Sequence, residues 1–413
     1  MNPAQPASDR FPMGEREFLV LMALLQALLA LAIDVMLPAI GVISNELGVS
    51  DPNDRQLIVG VYLVCGGLGT LFPGSLGDRF GRKPVVMTCL SAYFVLSLGC
   101  ALASDFTMLL VFRGLMGFFT AGLLVMPMAI IRDRFSGDRM ASAQSLVAMV
   151  FMVVPMLAPS LGQAVMWVVG WRGIFGVTTA ISALLLIWTW QRLPETLKPE
   201  NVQTVRPMAI LGNMRATLTC RDAIGYFLGT ALIQSAVFGY INSSQQLVAE
   251  HFGAGDAFPI VFGGMALGIA VANFANSRIV ERFGARRVSH TGLFAFITLC
   301  AVHLMVASTG EETLFHFVVL MTPTMCLLAF MGANFQAIAL QPFARTAGAA
   351  ASVQAFIRMV GGSLLGIAIG QAYDGTSRPL LVSMLAAGLG ALLVILYSER
   401  GRLFRRLHYP DDE

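Results

Sequence analysis

Gly74-Ser-Leu-Gly-Asp-Arg-Phe-Gly-Arg-Lys-Pro84 is a charged interruption in an apolar chain. Gly74 and Gly81 permit close backbone approach and a tight turn. Asp78 is placed to accept hydrogen bonds at a neighbouring helix N-terminus. Arg79, Arg82 and Lys83 hold such a loop on the cytoplasmic side of a membrane. The alternation of apolar runs with short basic loops continues along all 413 residues. Hydrophobic residues make up 56%, charged residues 12%, and the mean hydropathy is +0.72. A soluble domain carries about 25% charge, so the composition excludes one. It also excludes a disordered chain, and a net charge of +3 gives no nucleic-acid platform. The runs are continuous rather than alternating, which argues against a β-barrel. The class is an all-α polytopic membrane protein.

Twelve crossings are expected, at about 17–40, 55–77, 84–104, 106–131, 142–166, 172–192, 223–248, 258–279, 288–308, 313–336, 346–370 and 378–398. They are numbered spans 1 to 12 below. Of the 27 Lys and Arg, Arg55, Arg172 and Arg378 fall on one side and Arg113 and Arg358 fall within spans. All the others gather on the opposite side, which places both termini in the cytoplasm. The Met1–Arg16 segment lacks the layout of a cleaved leader, so the first run is read as an uncleaved span. The polar stretch 193–222 divides the chain into an N-terminal half, 1–192, and a C-terminal half, 223–413. The halves echo each other. Asn276-Ser-Arg-Ile-Val-Glu-Arg-Phe-Gly-Ala-Arg-Arg287 follows span 8 as the opening stretch follows span 2, sharing Arg-Phe-Gly and a basic end. Two related six-helix halves form a transporter architecture, with the substrate near the midplane between them.

The opening stretch resembles the signature loop of the major facilitator superfamily almost residue for residue. That resemblance implies that the loop latches helices across the two halves and biases the conformational switch through Gly74, Asp78, Arg79, Gly81 and Arg82. Further segments are similar to the bicyclomycin-resistance-type (Bcr/CflA) drug:proton antiporters. These are Asp34-Val-Met-Leu-Pro38, Arg113-Gly-Leu-Met-Gly117, Ile130-Ile-Arg-Asp133, Ala158-Pro159-Ser-Leu-Gly162, Trp171-Arg-x-x-Phe175 and Leu193-Pro-Glu-Thr196. The chain departs from that pattern in having Met116 where the family usually has Gln. It also has Ala158-Pro159 and Gly162-Gln163 where a Gly-Pro and a paired Gly are usual.

Ionisable groups inside hydrocarbon are costly and point to function. Of the 24 acids only Asp34 falls well inside a span. Counting residues puts Asp34 and Arg113 at a common depth, each about 8 Å from the middle of its helix. A direct or water-bridged interaction is expected between them. Ala23, Ala27 and Ala30 leave room on the Asp34 side of span 1. Burial favours the protonated carboxyl and a neighbouring guanidinium favours the carboxylate. Asp34, poised between the two, is the expected proton carrier, with Arg113 as its partner. The alternative is a permanent ion pair fastening span 1 to span 4. Arg358 is expected in a span that packs behind the cavity or faces lipid, as a partner for backbone carbonyls.

The family likeness implies a cavity lined by spans 1, 2, 4, 5, 7, 8, 10 and 11. Polar or aromatic candidates at suitable depth are Gln26, Tyr62, Gln234, Phe238, Tyr240, Asn242, Gln245, Asn334 and Gln354. Met149, Met152 and Met156 offer an adaptable apolar wall on span 5. Pro155, Pro159 and Gly162 predict a bend there, which the resemblance associates with antiport. The six cysteines form no C-x-x-C pair, the five histidines do not cluster, and no metal site is expected. His303 and His316 read as interfacial. No Walker loop, G-x-S-x-G or H-E-x-x-H occurs, so no cofactor and no enzymatic chemistry is expected.

The reading is an inner-membrane, monomeric, proton-driven exporter of small amphipathic compounds, whose partners are substrate, protons and lipid. The alternatives are an exporter of one metabolite or sugar, and a non-transporting membrane sensor.

Overall fold

The computed structural model describes residues 12–197 and 219–404. Most of the expected linker 193–222, with Lys198, Arg206 and Arg215, lies outside them. All regular structure among the described residues is helical. Hydrocarbon offers backbone groups no partners, so each span must satisfy its own.

Span 1 is the helix Glu15–Asp34. It stops ahead of Pro38, which has no N–H to continue the ladder. A 3₁₀ turn, Leu37–Ala39, and a short helix, Ile40–Glu46, finish the segment. Span 2 is Leu57–Gly69 followed by Pro73–Phe80, bent by 46° at Thr70–Phe72. Spans 3 and 4 are Arg82–Ala101 and Phe106–Arg134. The next apolar helix runs over Ser142–Arg192, 51 residues. At 1.5 Å per residue that is about 75 Å, far more than a ~30 Å hydrocarbon core. Gly170, at φ 74° and ψ −179°, breaks it into spans 5 and 6. Beside this break, Trp171 Nε1 donates to Glu46 at 2.7 Å, tying it to the end of span 1.

Spans 7 to 10 are Arg221–Gln246, Phe258–Phe283, Ala285–Ser308 and Leu314–Leu340. Span 7 ends in a π turn, Leu247–His251. Span 11 is Ala347–Phe356 and Gly362–Gln371 joined by a second π turn, Ile357–Gly361. Span 12 is Arg378–Ser398. Among the described residues, counting the bent span 2 as one crossing and the broken 142–192 helix as two gives twelve.

The echoed loops have the same backbone. Gly81 (φ 102°) and Gly284 (φ 83°) each end one helix and immediately start the next. Side chains fasten each turn differently. Arg82 pairs with Asp78 at 2.6 Å and Asp133 at 3.0 Å, while Glu195 accepts from the Arg82 and Lys83 N–H groups at 2.9 and 3.1 Å. Arg286 pairs with Glu399 at 2.7 Å and donates to Gln341 at 3.0 Å. Two expectations change here. Asp78 holds Arg82 rather than a helix N-terminus. The signature loop fastens spans 2, 3, 4 and 6 to one another, and its side-chain bonds among the described residues stay within the first half. His303, near the end of span 9, is buried and bonded to Glu312 at 2.7 Å, which also accepts from Ser377. Burial pushes the Glu312 carboxyl up, but the bonds from His303 and Ser377 outweigh it and hold it below the usual range.

Candidate functional site

A cavity of about 850 Å³ lies between spans 1, 2, 4 and 5 on one side and spans 10 and 11 on the other. Its walls include Gly74 and Ser75, so it reaches the end of the molecule that carries the signature loop. Gln26, Gln144, Gln336 and Arg358 supply polar groups, and Leu124, Val125, Met128 and Phe151 supply apolar surface. Gln144, Ala148 and Phe151 recur at i, i+4 and i+7, one face of span 5.

The opposite end is closed. Arg55 holds Glu250 by two bonds of 2.5 and 2.7 Å, joining span 2 to the π turn after span 7. The side-chain amides of Gln56 and Gln246 meet beside it. Asn53 Nδ2 donates to the carbonyls of Gln371 and Tyr373 at 3.1 and 2.9 Å, and Gln371 returns a bond to the Asn53 carbonyl at 2.8 Å. Deeper in, Gly60 lies so close to Ile367 that a methyl at that glycine would overlap it. Spans 2 and 11 therefore meet without a gap.

Asp34 is buried at the last residue of the span 1 helix. Arg113 is fully buried beside it, but the two form no ion pair. Arg113 Nη1 instead donates to the Ala32 carbonyl at 3.0 Å and Nε to the Ile58 carbonyl at 3.1 Å, while its guanidinium lies 4.3 Å from the centre of the Tyr62 ring. The reason is the end of the helix: the last carbonyls of a helix lack N–H partners, and Arg113 takes one of them. The depth expectation holds, since Arg113 reaches span 1 two residues from Asp34; the partner is backbone, not carboxylate.

Span 5 bears on the same spot. Gly162 packs directly on the Val35 carbonyl, where a methyl would overlap the oxygen. One and a half turns earlier, the Met156 carbonyl touches Gly263 of span 8 at a distance that leaves little room for a side chain. The Pro155–Gly162 segment thus lies between the Asp34 turn and span 8.

The other expected lining residues divide. Gln26 lines the cavity and donates to the Leu124 carbonyl at 3.1 Å. Gln234 accepts from Arg358 at 3.2 Å. Tyr62 is buried under Arg113 and does not line the cavity. Phe238 packs on Gly366, and Tyr240 stacks on Phe262 with its hydroxyl unpartnered. Asn334 bonds Asn276 at 2.9 Å within the second half. Asn242, Gln245 and Gln354 are packed away from the cavity, with amide atoms that lack partners. On span 5 the methionine wall is displaced: Met149, Met152 and Met156 are not among the lining residues, which are Gln144, Ala148 and Phe151, and Met149 is exposed. Arg358 is a second correction, since it lines the cavity instead of facing lipid. Residue counting missed the Arg55–Glu250 closure and Gln336. The cavity face of span 5, Gln144, Ala148 and Phe151, was missed as well.

A family model described as the Major Facilitator Superfamily matches residues 22–366. A bicyclomycin resistance protein homolog of Haemophilus influenzae is 26% identical over 92% of this chain and 94% of its own. The multidrug resistance protein MdtL of Klebsiella pneumoniae is 28% identical over 88% of this chain and 91% of its own. Among solved structures, a bacterial homolog of the human lysosomal transporter Spinster, inward-facing and unoccupied, has a TM-score of 0.72 at 16% identity, covering 93% of this chain and 96% of that one. That structure supports the fold alone. With twelve apolar crossings, an internal cavity closed at one end and a family match over most of its length, the chain belongs to the major facilitator superfamily of membrane transporters, and it is a carrier rather than an enzyme.

Proposed function

We propose that this transporter exports small amphipathic compounds in exchange for protons from the inner membrane, working as a monomer without a cofactor. The basic loops put the cavity's open end in the cytoplasm, so the described conformation is loaded from inside. The division at 193–222 gives two halves that rock about spans 2, 5, 8 and 11. Drug efflux is supported by the names of the two relatives above, and by a cavity that joins amide groups to apolar walls.

One observation carries the proton coupling: Asp34 is an intramembrane acid, buried and without an ion pair, at a helix break that Gly162 of span 5 touches. A carboxyl without a counter-ion is stable there only when protonated. Movement of span 5 against span 8 shifts the backbone beside it, and opening toward the outer side lets the proton in. Each proton is driven by about 2.3 kcal/mol per 100 mV of membrane potential. Arg113 is assigned a positioning role, tying the Ala32 carbonyl at the break to span 2.

The test is proton release from the purified protein when candidate compounds are added, together with efflux from vesicles under a pH gradient. Wild type should release protons and export, while Asp34→Asn should fold and bind yet do neither. Export against a gradient by Asp34→Asn would remove Asp34 from this role. A strict preference for one metabolite or sugar would replace the drug reading with the narrower exporter.

A further inference from the structure

We propose that the cavity takes an amphipathic solute through an acidic group, and that Arg358 is the residue that receives it. The inference rests on the export reading above and names the substrate class of that site. The sequence alone supplies an intramembrane cation; the structure supplies its setting. Arg358 sits in the π turn Ile357–Gly361 of span 11 and lines the cavity. A π turn inserts one residue into a helix and redirects the side chains around it, a feature common at functional sites.

Among the described residues Arg358 has one acceptor, the Gln234 amide oxygen at 3.2 Å. A guanidinium has five N–H donors and stays charged. Among the described residues that line the cavity, none is an Asp or Glu. Asp34, the acid within the spans, is packed at the turn near Val35 and is not part of the lining. The cavity's other polar side chains, among them Gln26, Gln144 and Gln336, are uncharged. An amide oxygen offsets only part of the cost of a charge among apolar walls, since the net gain per bond is small. A carboxylate completes the match, because its two oxygens accept a bidentate pair from the planar guanidinium. Leu71, Leu124, Val125, Met128, Phe151 and Met359 leave an apolar surface for the rest of the solute.

Arg113 shows the contrast. It carries the same charge but is fully buried, and two carbonyls and a tyrosine ring engage it. The fold gives Arg113 two backbone acceptors and seals it in, with its Nη2 buried and unpartnered, whereas Arg358 has one amide acceptor and lines the cavity. A cationic compound, which a proton-linked acid would otherwise be expected to attract, meets the wrong charge in this cavity.

The test measures binding of 1-naphthylacetate, 1-naphthylacetamide and 1-naphthylmethylamine to the purified full-length protein. These share one apolar ring system and differ in the charge of the head group. The acid should bind about tenfold or more tightly than the amine, with the amide between them. Arg358→Gln should cost the acid about tenfold or more and leave the amide within twofold, consistent with a charge-assisted bond. Arg358→Lys should restore part of the acid's affinity, which a merely structural role would not produce. The melting temperature of each variant guards against misfolding. Equal binding of the three compounds, no binding of the acid, or acid affinity unchanged in Arg358→Gln overturns the inference. The export reading fails separately, through proton release and Asp34→Asn. Coupled export without a preference for acids sinks this inference alone, and acid binding that depends on Arg358 without proton coupling sinks the export reading alone.

Discussion

Arg113 and Arg358 are both cations placed inside the membrane, one in each half, and their surroundings are opposite. Arg113 lies in the sealed part of the molecule, bonded to the backbone of spans 1 and 2 and covered by Tyr62. Arg358 lies in the open part, on a cavity wall with one amide partner. A charge sealed inside the fold against backbone acceptors is structural; one that lines the cavity is available to a ligand. The same contrast separates the two ends of the protein. One end is closed by Arg55–Glu250, Asn53 and Gln56, and the other is held apart around Gln26, Gln144 and Gln336.

The largest effect should come from the sealed site. Arg113→Met removes two charge-assisted bonds to buried carbonyls and should cost about 3 kcal/mol of stability. Melting of the detergent-solubilised protein checks this against Arg358→Gln, which should melt close to wild type. Equal losses in the two variants would erase the contrast. Next, Gly162→Ala forces a methyl toward the Val35 carbonyl. Overpacking of this kind costs about 1–3 kcal/mol, and moving the Asp34 turn should also abolish coupled efflux in vesicles. Normal efflux by a stably inserted Gly162→Ala would show that the turn tolerates displacement. The smallest effect is at the closure. Glu250 is 48% exposed in the ion pair, so Glu250→Gln should change overall stability by about 1 kcal/mol or less. It should still raise the rate at which an Asn242→Cys thiol is labelled from the outer face, in a protein cleared of native cysteines. An unchanged rate would mean that Asn53 and Gln56 close that end without the ion pair.

The positions of the crossings were legible because hydrocarbon imposes a length and a composition that water does not. The loop at 74–84 was legible because a turn at positive φ requires Gly81 and the flanking cations mark its side. Asp34 stood out because acids are rare in such spans. What these signals do not encode is direction around a helix once that helix is broken. Span 5 shows this. Its methionines were legible as residues, but the face toward the cavity is set by where Gly162 and Met156 touch spans 1 and 8. Arg358 shows it again, because the π turn that sets its direction has no residue signature of its own.

The sequence by itself determined a twelve-span carrier, its basic side, its signature loop and its lone deep acid. Each follows from local chemistry: the cost of charge in lipid and the conformational range of single residues. Only the tertiary structure decided which partner each buried charge received. Arg113 met the Ala32 carbonyl rather than Asp34 because the helix end before Pro38 left it open, and Arg358 met the cavity because span 11 is wound one residue wider there. Those outcomes depend on how broken helices pack against one another, and no short stretch of the chain contains that information.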